Sequence, residues 1–463
     1  MPFFPHTEAE VREMLNAVGA NSINDLFDEI PQNLGWGGLA TFPAARSELE
    51  VSQLMSARAR LDGAPSCFIG AGAYDHHIPA AVWQIATRDE FYSACTPHHA
   101  EANQGTLQLL YEFQSMMAAL TAMDLCNGSL HDGASALVAA ILMAVRVNHK
   151  SVSRRILVPK SLHPAYRRVA DNILHHQGIV LEQLPYDAKG GHTDPAVLQG
   201  YIGQDITALV IPQPNFFGVL EEADALAGWA QANNVLTIAV VNPLALSVLS
   251  PPGSWGGQGA DICCGEGQPL GVPLSSGGPY FGFLGCRRAL LRQMPGWIAG
   301  RTRDRTGQTA YSLIPQASDQ SPGTASIFGS QQASAVTAAT VHMALMGAEG
   351  LAQTAAKCHA NTRRLAEKLC SIPGVALKFD RPVFHEQVLA LPLRAQGVLR
   401  TLAAHNILGG LDLSRDYPEL GNAILVCATE RRTCEEIDSF AGKLERAIRL
   451  QAGAPCQLQP NNW

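Results

Sequence analysis

The chain has 463 residues, 47% of them hydrophobic and 16% charged, with a net charge of -7 and a pI near 6.1. That is enough apolar material for a large domain and a smaller one, and an acidic balance without runs of like charge argues against a nucleic-acid face. No stretch reads as an uninterrupted apolar span of about 20 residues, and Met1–Glu10 has no basic-then-apolar signal pattern, so neither a membrane span nor a secretory leader is expected. The low charged fraction points to a surface partly covered by partner subunits.

In chain order, Thr7-Glu8-Ala9-Glu10 has the spacing of a capping box and starts a helix. A second short helix is expected from Ser22 to Pro31, and the Gly/Pro-rich residues 31–43 read as an extended arm. Leu109, Phe113, Met116, Leu120 and Met123 recur at helical spacing, and an Ala-rich helix follows over 133–147. Strands are then expected at 155–158, 179–184, 206–211 and 235–241, alternating with helices at 164–173 and 222–231. That rhythm predicts an α/β fold whose mostly parallel sheet is covered on both faces. A Gly/Pro-rich segment over 251–285 includes a short strand, Asp261–Cys264, in which adjacent Cys263 and Cys264 face opposite sides. Residues 299–330 read as a loop or linker. Helices are expected at 333–346 and 351–370, strands at 375–379, 388–391 and 424–427, and a last helix at 434–450.

Asp132-Gly133-Ala134-Ser135 opens the Ala-rich helix as a glycine-led N-terminus, where free N–H groups can hold a phosphate; on the motif alone an ordinary capped core helix is the favoured explanation. Asn215-Phe216-Phe217-Gly218 and Asn242-Pro243 end consecutive strands, where open α/β sheets bind ligands, although both are also turn sequences. The segment Gly70 to Pro79 packs Tyr74, Asp75, His76 and His77 before a proline. Adjacent histidines do not readily ligate one ion, and no metal site is expected. Eleven scattered cysteines, an odd number without zinc-module spacing, read as reduced thiols in a cytoplasmic protein.

These segments together resemble the glycine decarboxylase P-protein family, in particular the N-terminal half that forms subunit 1 of the split bacterial enzyme. The resemblance rests on GAGAYDHHIP at 70–79, Thr96-Pro97, Gln104 to Gln108, Asp132-Gly133-Ala134, Pro214 to Gly218, Gly265 to Gly271 and Gly277 to Tyr280. It implies a fold-type-I pyridoxal phosphate (PLP) transferase-like architecture: an arm at 1–60, a large α/β domain at 61–330 and a small C-terminal α+β domain at 331–455, after which the tail at 456–463 reads as disordered from its own sequence. It also implies an α2β2 assembly with subunit 2. That assembly would decarboxylate glycine and pass the aminomethyl group to the lipoyl arm of H-protein, with lipoate as co-substrate.

In the resemblance the PLP lysine belongs to subunit 2. Consistent with this, no lysine occurs from Gly190 to Ala356, and Gln268 stands near the expected Schiff-base position, so no catalytic residue is expected here. Asn242 replaces the strand-end carboxylate that pairs with a pyridine nitrogen. Gly133, Ala134, Ser135, Asn215 and Asn242 are candidates for a vestigial cofactor pocket; Tyr74, His76 and Thr96 are candidates for a substrate channel. His98 stands where the family has tyrosine, and residues 316–332 lack the family's basic segment. That departure motivates an alternative, a divergent non-catalytic scaffold or regulatory homologue. A stand-alone PLP enzyme is disfavoured by the missing lysine.

Overall fold

The structure, a computed structural model, describes residues 6–31, 34, 43–91, 100–295, 298–314 and 333–451. The chain divides into two compact units, residues 1–63 and 64–463.

In the first unit, helix α1 (Glu8–Val18) starts at Thr7, whose hydroxyl accepts from the Glu10 N–H while the Glu10 carboxylate accepts from the Thr7 N–H at 2.6 Å. This is the expected capping box, and Gly19 closes the helix at φ +76°. The second expected helix is only a 3-10 turn, Ile23–Phe27. Helix α2 (Glu48–Asp62) was not expected: its apolar residues form no stripe, and the signal that starts it is the Ser47/Glu50 capping box. None of these three elements has a buried residue, and Val18 (68%) and Leu61 (86%) are largely exposed.

The second unit begins with a short parallel pairing of Ser66–Cys67 with Ile407–Leu408. Helices α3 (Ala80–Ala86) and α4 (Gln104–Thr121) lead into a seven-stranded sheet. Its strands are β1 (Leu125–Cys126), β2 (Arg155–Pro159), β3 (Val180–Leu184), β4 (Ala208–Gln213), β5 (Leu236–Val241), β6 (Ile262–Glu266) and β7 (Gly282–Cys286), in the order β1-β7-β6-β5-β4-β2-β3. Strands β2 to β6 are mutually parallel, and β7 is antiparallel to both neighbours. Helices α5 (Gly133–Val147), α6 (Pro164–Leu174) and α7 (Ala223–Ala232) connect strands as the rhythm predicts. Alternate strand residues enter two cores: Leu209, Ala239 and Cys263 pack with α4 and α7, whereas Val210, Ile238 and Cys264 pack with α5. Cys263 and Cys264 thus face opposite sides of their strand.

Two expectations are corrected. The Gly/Pro-rich 251–285 segment runs into β7, a fully buried strand paired on both sides. Its glycines answer to close packing, since a Cβ on Gly282 would lie 2.2 Å from the Asp132 carbonyl oxygen and one on Gly285 2.7 Å from Cys126 Sγ. The expected loop at 299–330 opens with an antiparallel hairpin, β8 (Ala299–Arg303) and β9 (Thr309–Leu313). The Asp304 carboxylate shapes its turn by accepting from Thr306 and Gln308. Residues 316–332 lie outside the described residues, as do most of 31–43 and the 456–463 tail.

Helix α8 (Ala333–Cys370) merges the two expected helices across a kink at Gly347, φ +61°. It is long and apolar enough to cross a membrane, yet Val336, Ala339, Leu351 and Ala355 are buried in the protein core. A four-stranded antiparallel sheet follows: β10 (Ala376–Leu377), β11 (Glu386–Ala390), β12 (Leu411–Asp412) and β13 (Ala423–Cys427), in the order β10-β11-β13-β12. Helices α9 (Ala395–Ala403) and α10 (Cys434–Gln451) share its core through Val398, Leu402, Phe440 and Leu444.

Candidate functional site

The C-terminal ends of β4, β5 and β6 open onto a cavity of about 80 Å³ bordered by Tyr74, His163, Tyr166, Asn242, Glu266 and Glu386. This is the ligand position of open α/β sheets, but the volume is well below the roughly 300 Å³ at which small-molecule pockets begin.

Helix α5 has its N-cap at Asp132, whose carboxylate accepts from the Ser135 N–H at 2.7 Å. The Gly133 N–H donates at 3.0 Å to a carboxylate of this chain, Glu266 Oε2. Glu266 thus occupies the anion position that a helix N-terminus offers. Burial pushes its pKa up to about 8, partly offset by the Gly133 hydrogen bond. The space above Gly133 is also closed, because a Cβ there would lie 2.1 Å from Tyr166 Oη. Of the three helix-start candidates, Gly133 reaches the site through Glu266; Ala134 is buried in the helix, and the Ser135 amide is committed to its cap.

Gln268 is 1% exposed. Its Oε1 accepts from the Tyr74 N–H at 2.8 Å, and its Nε2 donates to the carbonyls of Tyr74 (2.9 Å) and Val272 (2.8 Å). The residue near the expected lysine position is therefore a clamp on the Gly70–Pro79 loop. Asn242 Oδ1 accepts from the N–H groups of Leu244 and Ala245, shaping the strand-end turn, and its Nδ2 lies 3.4 Å from His385 Nε2. Asn215 also lines the cavity, but it donates to Gly191 O and Glu221 Oε1 and accepts from Phe217 and Val219, so its polar atoms hold the turn together.

His163, Glu266 and Glu386 are among the cavity residues not singled out as candidates from the sequence. His163 accepts from the Ala165 N–H at 3.1 Å through Nδ1, and its Nε2 lies 2.8 Å from the Ala71 carbonyl. That pattern fits a neutral ring, and burial lowers its pKa. Its sequence signal is its place before Pro164 at a helix start. Glu386, on β11, accepts from the Ala71 N–H (2.6 Å) and the Tyr74 hydroxyl (2.7 Å); burial raises it to about 7 against those bonds. It lies 312 residues from Tyr74 and carries no local signal. Glu266 stands inside a quoted motif, at the end of a strand.

The channel candidates separate. Tyr74 borders the cavity, with its hydroxyl committed to Glu386. His76 turns away into a second cluster, its Nδ1 2.8 Å from Glu430 Oε2, while adjacent His77 is exposed. Burial acts to raise the Glu430 pKa, but the hydrogen bond and charge of His76, the His77 N–H and the Cys358 thiol outweigh it and bring the value to about 2. Thr96 lies outside the described residues, as does His98.

The site does not fit a phosphorylated pyridine cofactor held by this chain. Its anion position holds a carboxylate, its open volume is small, and Gln268 cannot form an imine.

Comparison with known proteins agrees with the resemblance. The family described as "Glycine cleavage system P-protein" matches residues 1–444. A probable glycine dehydrogenase (decarboxylating) subunit 1 of Nitrosospira multiformis is 55% identical over 453 residues, covering 97% of this chain and 100% of the relative. A protein of the same description from Thioalkalivibrio sulfidiphilus is 56% identical over 452 residues, with the same coverage. Among solved structures, an inhibitor-bound glycine decarboxylase (P-protein) of the glycine cleavage system aligns with a TM-score of 0.87 and 34% identity, over 96% of this chain and 100% of that one. A sphingosine-1-phosphate lyase of Burkholderia pseudomallei aligns at 0.65 with 16% identity, over 92% and 97%, a likeness of fold alone.

Proposed function

This chain belongs to the glycine cleavage system P-protein family, as a glycine dehydrogenase (decarboxylating) subunit 1, and we propose that it is the subunit that does not carry PLP. The observation that supports this reading is the Glu266 carboxylate on the Gly133 N–H, with Gln268 locked onto Tyr74 beside it. A carboxyl group already seated on the Gly133 N–H takes the place a cofactor phosphate would need, and no lysine stands ready in the loop.

In this reading PLP sits in subunit 2, in an α2β2 assembly, where it supplies the electron sink for loss of CO2 from glycine. This chain helps to shape that site and the path of the lipoyl arm of H-protein. "Subunit 1" in the relatives' names implies a partner. The exposed apolar residues of the first unit, among them Val18, Leu49, Met55 and Leu61, give that partner a surface to cover. Nine free cysteines among the described residues suit a reducing compartment, and we place the protein in the cytoplasm.

The test is borohydride reduction of the purified chain with added PLP, then of the chain co-expressed with its subunit 2. Covalent PLP is expected on subunit 2 alone, together with glycine–bicarbonate exchange that depends on both subunits and lipoylated H-protein. Stoichiometric PLP on this chain would overturn the reading. Failure of the two subunits to co-purify would favour a scaffold role.

A further inference from the structure

We propose that His76, Cys358 and Glu430 form a mononuclear site for a zinc-class divalent cation that fastens the Gly70–Pro79 loop to α8 and to the segment following β13. The three residues come from distant parts of the chain and converge in the interior. Cys358 Sγ lies 3.1 Å from Glu430 Oε2 and 4.0 Å from His76 Nδ1, and His76 Nδ1 lies 2.8 Å from the same carboxylate oxygen. All three donor atoms fall within 4.8 Å of one another. Around a tetrahedral zinc ion with bonds of about 2.0–2.3 Å, neighbouring donors stand roughly 3.3–3.7 Å apart. The observed separations straddle that range, so an ion enters with shifts of about half an ångström.

The donor set selects the ion. One thiolate, one imidazole and one carboxylate suit zinc or cobalt, whereas magnesium and calcium need all-oxygen shells. Thiolate and carboxylate together neutralise a dication, which a buried position demands.

Two further buried histidines stand near the cluster. His76 Nε2, His342 Nδ1 and His385 Nδ1 are all buried without a hydrogen-bond partner, in side chains no more than 7% exposed. With Nδ1 as the ligand atom, His76 Nε2 is left free to carry the ring proton. His342 and His385 both feel the charges of His76 and Glu430, and the His385 ring stacks 6.2 Å from that of His76. His76 also borders a cavity of about 250 Å³, with Tyr74, His77, Leu274 and Arg431.

Loading involves no redox change. The Cys358 S–H bond breaks as the metal–sulfur bond forms, and the proton leaves to solvent. The His76 Nδ1 proton leaves to solvent as Nδ1 binds the ion, and the neutral ring keeps its proton on Nε2. Without metal, burial and the Glu430 charge hold the thiol protonated; a coordinated cation reverses that balance.

The experiment uses the full chain with its partner subunit, in a Cys434→Ser background that removes an exposed competing thiol. The complex is stripped with chelator and titrated with zinc chloride or cobalt chloride. One equivalent per chain is expected, with a sulfur-to-cobalt charge-transfer band and tetrahedral visible bands. Affinity should fall on the order of 100-fold or more in Cys358→Ser and His76→Gln, since even outer-shell changes cost 10–100-fold. Absence of the cobalt band, or full zinc binding by folded Cys358→Ser, overturns the proposal. If the variants fail to fold, the cobalt spectrum of the parent decides: a one-thiolate tetrahedral spectrum supports the site, and an all-oxygen octahedral one rejects it.

Discussion

Two buried carboxylate regions flank the Gly70–Pro79 loop, and they behave in opposite ways. On one side Glu266 and Glu386 have backbone N–H and hydroxyl donors but no cation, and burial raises them to about 8 and about 7. On the other, burial also acts to raise Glu430, but it adds His76 and a thiol to its backbone donor, and it falls to about 2. Neutral donors only partly repay the loss of water around a carboxylate, whereas an imidazole in contact reverses the sign. The first region can therefore seal a cavity as neutral acid, and the second can present an anion to a cation.

The largest expected effect comes from taking away the partner that makes the second region different. His76→Ala leaves Glu430 buried without its main donor, at a cost of about 3–4 kcal/mol near neutral pH. Denaturant unfolding in chelator measures this, and the double variant His76→Ala, Glu430→Gln should recover part of the loss. No recovery would mean that His76 acts through packing rather than through its carboxylate.

The pH dependence tests the first region. Glu266 and Glu386 have folded pKa values above the ordinary 4.5, so their stabilising effect is complete below that value and is lost as pH rises through about 7 and 8. The buried His342 and His385 are depressed bases, and they oppose this trend only below about pH 6.5. Between pH 6.5 and 8 the acids should therefore cost about 2–3 kcal/mol. A Glu266→Gln, Glu386→Gln double variant should lose most of that slope. Glu430 works the other way: its contribution is present above pH 4.5 and lost as pH falls toward 2.

Gln268→Lys asks whether a lysine alone makes the first region a cofactor site. Three hydrogen bonds to Tyr74 and Val272 are lost, a cost of about 2 kcal/mol. Borohydride should still trap no PLP, because Glu266 remains on the Gly133 amide. Stoichiometric trapping would show that the missing lysine, and not the filled anion position, is what excludes the cofactor.

The rhythm from Arg155 to Val241 is legible because each buried parallel strand is a compact apolar run between turn residues. The β7 strand is not, since Gly282 and Gly285 read as breakers until the atoms crowding them are known. Gln268 is legible only as an absence of lysine. Its role as a clamp requires Tyr74, 194 residues away. The pairing of Cys358 with Glu430 has no local pattern at all, and His76 is masked by its exposed neighbour His77, which invites a paired reading that the loop geometry splits. Local periodicity and capping record themselves in a sequence; the long-range convergence that builds a polar cluster does not.

The smallest expected effect separates the two regions most sharply. At pH 6 Glu386 is mostly protonated, so Gln is a near-isosteric neutral replacement. Its amide oxygen can accept from the Ala71 N–H, and its amide nitrogen can donate to the Tyr74 oxygen, reversing one bond without orphaning an atom. Glu386→Gln should then cost less than about 1 kcal/mol at pH 6. At pH 8 it should stabilise relative to the parent, whose carboxylate must ionise in the core. The same substitution at Glu430 removes an anion that His76, His77 and Cys358 all address, and it should cost about 2 kcal/mol at both pH values. Paired unfolding curves at pH 6 and 8 read the difference. If Glu386→Gln costs as much as Glu430→Gln at both, the neutral-acid account of the filled cavity is wrong, and Glu386 is held as an anion by a group that its hydrogen bonds do not reveal.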